Sequence, residues 1–305
     1  LTKGLMVTGI IILLSSICTY FISRQALLPL RRLSQEVNQI EVQNLSEALE
    51  VPATNDEISR LTISFNKMLA RLDEAFTAQK QFSANAAHEL RTPLAVIQTN
   101  LEVFARREAP ALKDYQEIFA MLQEQTGRLS HLAEILLDMT GVQTIERSER
   151  ISLAALTDEV FCDLASVAEQ KDVELIQQEG DCIITGSYLL LYRAVYNLVE
   201  NAIKYNHSGG KVTVNTHLSE EITDTSTSVN YVFLEVSDTG IGIPPEYQEK
   251  IFTPFFRVDK SRSRAMGGAG LGLALVSEIV RQHNGQVKVL ESSKKGSVIA
   301  IMLPV

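Results

Sequence analysis

Phe82-Ser83-Ala84-Asn85-Ala86-Ala87-His88-Glu89-Leu90-Arg91-Thr92-Pro93-Leu94 is the stretch on which the reading of this chain turns. Its pattern is helical. Leu90, Leu94, Ile97, Leu101 and Phe104 recur at alternating steps of four and three, the spacing of a packed helix seam. His88 lies two residues before Leu90, so it is rotated roughly 200° from the seam and is expected to face solvent. Pro93 falls inside the same pattern. It removes the hydrogen bond to the Glu89 carbonyl, at an intrinsic cost of about 3 kcal/mol, and predicts a kink. A proline beside an exposed imidazole suggests a site rather than a scaffold. Zinc is not indicated, because Thr92 stands where a second ligand histidine would be needed.

Downstream, the pattern breaks around Glu108-Ala109-Pro110, a turn signal. A return helix follows, with Tyr115, Ile118, Leu122, Gln125, Leu129, Leu132, Leu136 and Met139 again at steps of three and four. Two such helices cannot bury their seams alone, whereas a homodimeric four-helix bundle buries both. His131, on the return helix, has no companion motif and reads as structural or solvated.

Upstream, Leu5 to Ser23 contains no charged residue. At 1.5 Å per residue it covers roughly 28 Å, about one hydrocarbon core, and reads as a membrane span. Arg24, Arg31 and Arg32 follow it, only Lys3 precedes it, and the first acid is Glu36. The positive-inside bias places residues 24–305 in the cytoplasm, at the cell membrane. Cys18, Cys162 and Cys182 are far apart and unpaired in spacing, so neither a disulfide framework nor a metal site is expected. The net charge of −9 argues against nucleic acid as a partner. Because the span begins almost at Leu1, the sequence reads as a fragment lacking whatever precedes the span.

Between Arg24 and Phe76 two helical patterns flank a polar connector, residues 41–55, containing Asn44, Ser46 and Pro52. The first carries Pro29, Leu33, Val37 and Ile40, and the second Ile58, Leu61, Phe65, Met68, Leu69 and Leu72.

From about Gly141 the texture changes to mixed helix and strand. Residues 211–218, 231–237, 286–290 and 297–303 are strand-like. Residues 156–170, 188–204 and 271–284 are helix-like, and the Ser/Thr-rich run 219–230 reads as a surface hairpin loop. Four elements of this α/β domain suit one ligand. Asn197, Asn201 and Lys204 share a helix face, where amides can meet a hydrated Mg²⁺ and a lysine can meet phosphate. Asp238-Thr239-Gly240-Ile241-Gly242 ends a strand, with a carboxylate for an amino-purine and glycines that let backbone approach the ring. Residues 251–259 (IFTPFFRVD), followed by Lys260, Arg262 and Arg264, suit a lid with cations facing phosphates. Residues 267–275 (GGAGLGLAL) open a helix whose free N–H groups suit an anion. No Gly-Lys-Ser/Thr marks a P-loop, and no His-Arg-Asp marks a serine/threonine kinase.

The His88 segment resembles the H-box of sensor histidine kinases. The segment after the span resembles a HAMP module, through Pro29, Asp56-Glu57 and Phe65-Asn66-Lys67-Met68. The four late elements resemble the N, G1, F and G2 boxes of the GHKL ATPase superfamily. Together they cover nearly the whole chain and resemble a HAMP-containing transmembrane sensor histidine kinase of a two-component system. The resemblance implies four domains: a transmembrane helix (1–23), a HAMP linker (24–76), a dimerisation and phosphotransfer hairpin (77–142) and an α/β sandwich ATP-binding domain (143–305). It implies ATP and Mg²⁺ as cofactors, a homodimer, a response-regulator partner and membrane lipid around residues 5–23. His88 would be the phosphoacceptor, Glu89 its base and Thr92 a phosphatase residue orienting water. Asn201 would bind Mg²⁺ with Asn197 nearby, and Asp238 would read adenine. Lys204, Tyr205, Gly240, Gly242, Arg257, Gly268, Gly270, Leu271 and Gly272 would contact the nucleotide. The alternatives are a GHKL ATPase acting as a conformational clamp without phosphohistidine, and a non-enzymatic signalling scaffold.

Overall fold

The computed structural model describes residues 11–20, 28, 30, 33–38, 40, 47–52, 57–141, 146–178, 180–222, 228–258 and 269–305. The expectations placed on Lys3, Arg24, Pro29, Arg31, Arg32, Asn44, Ser46, Asp56, Lys260, Arg262, Arg264, Gly267 and Gly268 lie outside the described residues. Two compact units, Leu1–Ala84 and Asn85–Val305, make up the chain.

In the first unit, residues 11–20 are helical, with Ile11, Ile12, Leu13, Leu14 and Ile17 all exposed. The Thr19 hydroxyl donates to the Ser15 carbonyl at 2.8 Å, so this polar side chain is satisfied within its own helix. Among the described residues no helix is long and apolar enough to cross a membrane; of the span expected over 5–23, only residues 11–20 are described. The helical pattern that follows packs as expected. Leu33, Leu49 and Leu69 form a buried cluster, with Val37, Ile40, Ile58 and Phe65 against it. The Asn66 amide pins the connector: Leu49 N–H donates to its Oδ1 at 2.9 Å and its Nδ2 donates to Leu49 O at 3.0 Å. Leu61, Met68 and Leu72 remain exposed, so the face expected to be continuous is only partly covered by the single chain.

Helix α1 spans Glu57–Ala105 and is 49 residues long. The domain limit expected at 76/77 falls within this helix. The structure runs one helix through it, because no Gly or Pro interrupts residues 57–92. Nor does Pro93 end the helix. Pro93 is buried, and the Thr92 hydroxyl donates to the His88 carbonyl at 3.1 Å. Helix α2 spans Leu112–Gly141. The turn before it is held by an Arg107–Asp114 ion pair and by the Ala111 N–H donating to Asp114 at 2.8 Å. That backbone bond and Arg107 hold the Asp114 carboxyl below its usual range. The Phe104 and Tyr115 rings meet edge-on, centroids 5.0 Å apart. Leu132 and Ile135 are buried, whereas Leu94 is 50% and Leu101 43% exposed, so part of the predicted seam lies open in one chain.

The later residues build strands β1 (Glu149–Ser152), β2 (Val173–Gln177), β3 (Ile183–Gly186), β4 (Gly210–Ile222), β5 (Ser228–Asp238), β6 (Gln286–Ser293) and β7 (Gly296–Pro304). The helices among them are α3 (Leu153–Lys171), α4 (Tyr188–Lys204) and α5 (Gly272–Gln282). β1 pairs with β3, and the main sheet has the order β2-β4-β5-β7-β6. Val212, Val214, Leu234, Val236 and Ile301 alternate on one buried sheet face. Leu156 and Leu164 of α3, Leu191 and Leu198 of α4, and Leu275 and Ile279 of α5 are buried apolar helix residues of the same domain. Ser152 caps α3, its hydroxyl accepting from the Ala155 N–H at 3.1 Å. The loop predicted over 219–230 is corrected. The β4–β5 ladder continues to Ile222↔Ser228, since backbone pairing is indifferent to side-chain polarity.

His283 ties α5 to the start of α4. Its Nε2 accepts from the Ser187 N–H at 3.1 Å, and its Nδ1 lies 2.8 Å from the Ile279 carbonyl. The neutral ring serves both bonds, donating from Nδ1 and accepting at Nε2. Burial first, and the charge of Arg147, push its pKa below 6.5, against the Ile279 bond. The unfolded chain therefore binds more protons below pH 6.5, and stability falls as pH drops through the window between 6.5 and the lowered native value. Thermal melting between pH 8 and 5 is expected to show this loss, and His283→Gln is expected to flatten it. An unchanged slope in the variant contradicts the assignment.

Candidate nucleotide site

Arg193, Asn197, Asn201 and Lys204 recur along α4 at steps of four and three. Asn197 Nδ2 donates to the Arg193 carbonyl and Asn201 Nδ2 to the Asn197 carbonyl, each at 2.8 Å. One N–H of each amide is thus spent on the helix, and each Oδ1 is the end a cation would meet. Asn197 and Asn201 line a cavity of about 650 Å³, together with Lys204, Tyr205, Asp238, Gly242, Arg257, Gly270, Leu271 and Gly272. Val236, Ile243, Ile251 and Ile299 give it an apolar side. Among the described residues no group of three His, Cys, Asp or Glu gathers to hold a metal.

Asp238 sits at the end of β5 and accepts from the Gly240 N–H at 2.7 Å. Burial raises its pKa, while backbone bonds from Gly240 and Ser297 act the other way. Gly240 shapes the turn rather than lining the cavity: a Cβ there meets Tyr205 O at 2.4 Å. At Gly242, φ is +72° and a Cβ would lie 1.8 Å from Ser293 O, so only glycine fits.

The opposite wall is the start of α5. A Cβ on Gly272 would lie 2.5 Å from Asn197 Oδ1, so the glycine lets the helix end close on the amides. No side chain caps this N-terminus, which leaves its first N–H groups suited to an anion. Lys204 adds positive charge. Burial lowers its pKa, Glu200 opposes that, and Arg257 and Lys171 reinforce it.

Arg257 reaches further than the sequence suggested. Its side chain is only 8% exposed, and Nη2 lies 3.1 Å from Glu89 Oε2 on α1. The cation expected at the nucleotide is thereby paired with the carboxylate expected to act as base. A second ion pair, Arg193–Asp138, joins α4 to α2. His88 is exposed as predicted, and it borders a shallow depression with Thr92, Ala95 and Thr99 rather than the cavity. His131 is exposed, within the structural or solvated reading, and with Ile135 it also borders the nucleotide cavity. Its local sequence carried no signal, because packing of the hairpin against the sheet domain brings it there.

Three family matches lie in order along the chain. Residues 21–74 match the HAMP domain, residues 78–144 the His Kinase A (phospho-acceptor) domain, and residues 186–305 the histidine kinase-, DNA gyrase B- and HSP90-like ATPase. These three domains, in this order, are those of HAMP-containing sensor histidine kinases. It is 31% identical over 279 residues to sensor histidine kinase CusS of Escherichia coli O6:H1, covering 90% of this chain and 56% of that protein. It is 30% identical over 297 residues to the histidine-protein kinase ArlS of Staphylococcus aureus strain USA300, covering 95% and 63%. The chain therefore spans little more than half the length of these relatives. The histidine kinase ThkA, solved in complex with its response regulator TrrA, shares the fold with a TM-score of 0.59 and 21% identity, over 82% of this chain and 68% of that one.

Proposed function

We propose that this sensor kinase phosphorylates itself on His88 from ATP and passes the phosphoryl group to an aspartate of a response regulator. One observation carries the reading. The four box elements converge on one cavity, and that cavity's Arg257 reaches the residue beside His88. In the proposed reaction a ring nitrogen of His88 attacks the γ-phosphorus. An N–P bond forms, the P–O bond to the β-phosphate breaks, and ADP leaves. Glu89 takes the ring proton once Arg257 exchanges it for phosphate. Asn201, with Asn197 beside it, would hold Mg²⁺, which supplies charge neutralisation for the phosphates. Asp238 reads the adenine amino group, and Lys204, Tyr205 and the start of α5 face the remaining nucleotide.

The exposed Leu94 and Leu101 of the hairpin, and Leu61, Met68 and Leu72 upstream, support a homodimer in which a second copy covers both seams. Residues 5–23 anchor the chain in the cell membrane, with 24–305 on the cytoplasmic side. The domain limits 1–23, 24–76, 77–142 and 143–305 stand as part of this proposal. A regulator partner is supported by ThkA, whose structure holds TrrA. The test is a chase: labelled chain mixed with its purified regulator should lose label to a regulator aspartate within minutes. Label that stays on the chain with every regulator tried counts against transfer.

Thr92 separates the two directions of the chemistry. It is exposed, one turn from His88, and its hydroxyl donates to the His88 carbonyl at 3.1 Å. A hydroxyl there can orient water but does not replace the imidazole. Thr92→Ala is expected to keep autophosphorylation within about threefold, since one exposed side-chain bond is worth about 1 kcal/mol or less. It is expected to slow decay of the phosphorylated regulator. Equal loss of both activities would reassign Thr92 to packing around Pro93.

A further inference from the structure

We infer that His131 is a phosphate-binding residue of the nucleotide cavity, donating a hydrogen bond to the terminal phosphate of the bound nucleoside triphosphate; the inference rests on the ATP reading above. His131 and Ile135 bring the hairpin into the wall of a cavity otherwise built by the sheet domain. Which end of the cavity they border follows from the hairpin. The Phe104 and Tyr115 rings meet beside its turn, centroids 5.0 Å apart. His88 lies sixteen residues before Phe104, and His131 sixteen residues after Tyr115. At 1.5 Å per residue each is about 24 Å along its helix from that contact, so His131 stands level with the phosphoacceptor.

The ion pairs agree with this register. Arg257 lines the same cavity as His131 and pairs with Glu89, the neighbour of His88. Asp138, two turns beyond His131 on α2, pairs with Arg193, one turn before Asn197 on α4. The hairpin thus reaches the Arg193 end of α4, and α2 also packs on α5, whose first residue Gly272 lies against Asn197. A neutral imidazole offers one N–H and one lone pair, and a protonated ring two N–H groups. Either form donates to a phosphate oxygen, and Lys204 and Arg257 line the same cavity.

The consequence is a site that distinguishes ATP from ADP partly through the hairpin. The test uses the full chain in detergent micelles. Direct binding of ATP and of ADP is measured for the wild type, His131→Ala and His131→Asn, beside the autophosphorylation rate at saturating ATP. His131→Ala is expected to weaken ATP binding about tenfold, the worth of one charge-assisted hydrogen bond, and ADP binding less than about twofold. His131→Asn keeps an N–H donor and is expected to recover most of the difference. Equal weakening of ATP and ADP, or no change in either, overturns the role of His131 while leaving the nucleotide site standing. Absence of ATP binding by the wild type overturns the ATP reading itself, and this inference with it.

Discussion

His88→Gln is expected to abolish autophosphorylation while leaving ATP affinity nearly unchanged. The reason is spatial. His88 is exposed on α1 and takes no part in lining the nucleotide cavity, so its loss removes the acceptor and leaves the site intact. Glutamine keeps the volume and polarity of the position but has no basic ring nitrogen to attack phosphorus. Two measurements decide it, labelled phosphoryl on the protein and direct ATP binding. Retained acid-labile label in the variant would sink the assignment of His88. Loss of ATP binding would show that the position supports the cavity rather than accepting from it.

The second large effect is at Asn201. Its amide nitrogen is committed to the Asn197 carbonyl at 2.8 Å, so its oxygen is the group a cation would meet. Asn201→Ala is expected to lower autophosphorylation roughly a hundredfold or more, the usual cost of losing one group that stabilises transferring charge. The helix itself should survive, since alanine is the better helix former. His88 in the variant remains an acceptor, so a mixed dimer or a separately supplied wild-type catalytic partner should restore its label. Normal activity at limiting Mg²⁺ contradicts the role.

Much of this site was legible because its chemistry demands particular residue types at fixed spacing. Asn197 and Asn201 one turn apart, Asp238 at a strand end and the glycines around Leu271 each have a physical reason, and the structure gathers them around one cavity. Gly240 was assigned to the ligand but serves the turn against Tyr205, a distinction that depends on a neighbour 35 residues away in sequence. The Arg257–Glu89 pair, 168 residues apart, has no local signature at all. The place of His131 at the cavity likewise has no local signature. In the fold, the long strands and α4 were readable from periodicity. β1, β2 and β3 were not, since four or five residues give too little pattern to separate strand from loop. The unity of α1 has no positive local signature beyond the absence of a helix breaker over residues 73–81.

The most direct test of the account is to incubate the wild-type chain with γ-labelled ATP and Mg²⁺, then map the bound label. The account predicts protein-bound label that is lost in acid, survives alkali, and resides on the peptide containing His88. Free phosphate with no protein-bound label would instead describe an ATPase clamp. Acid-stable label, or label on any other residue, would contradict the account outright.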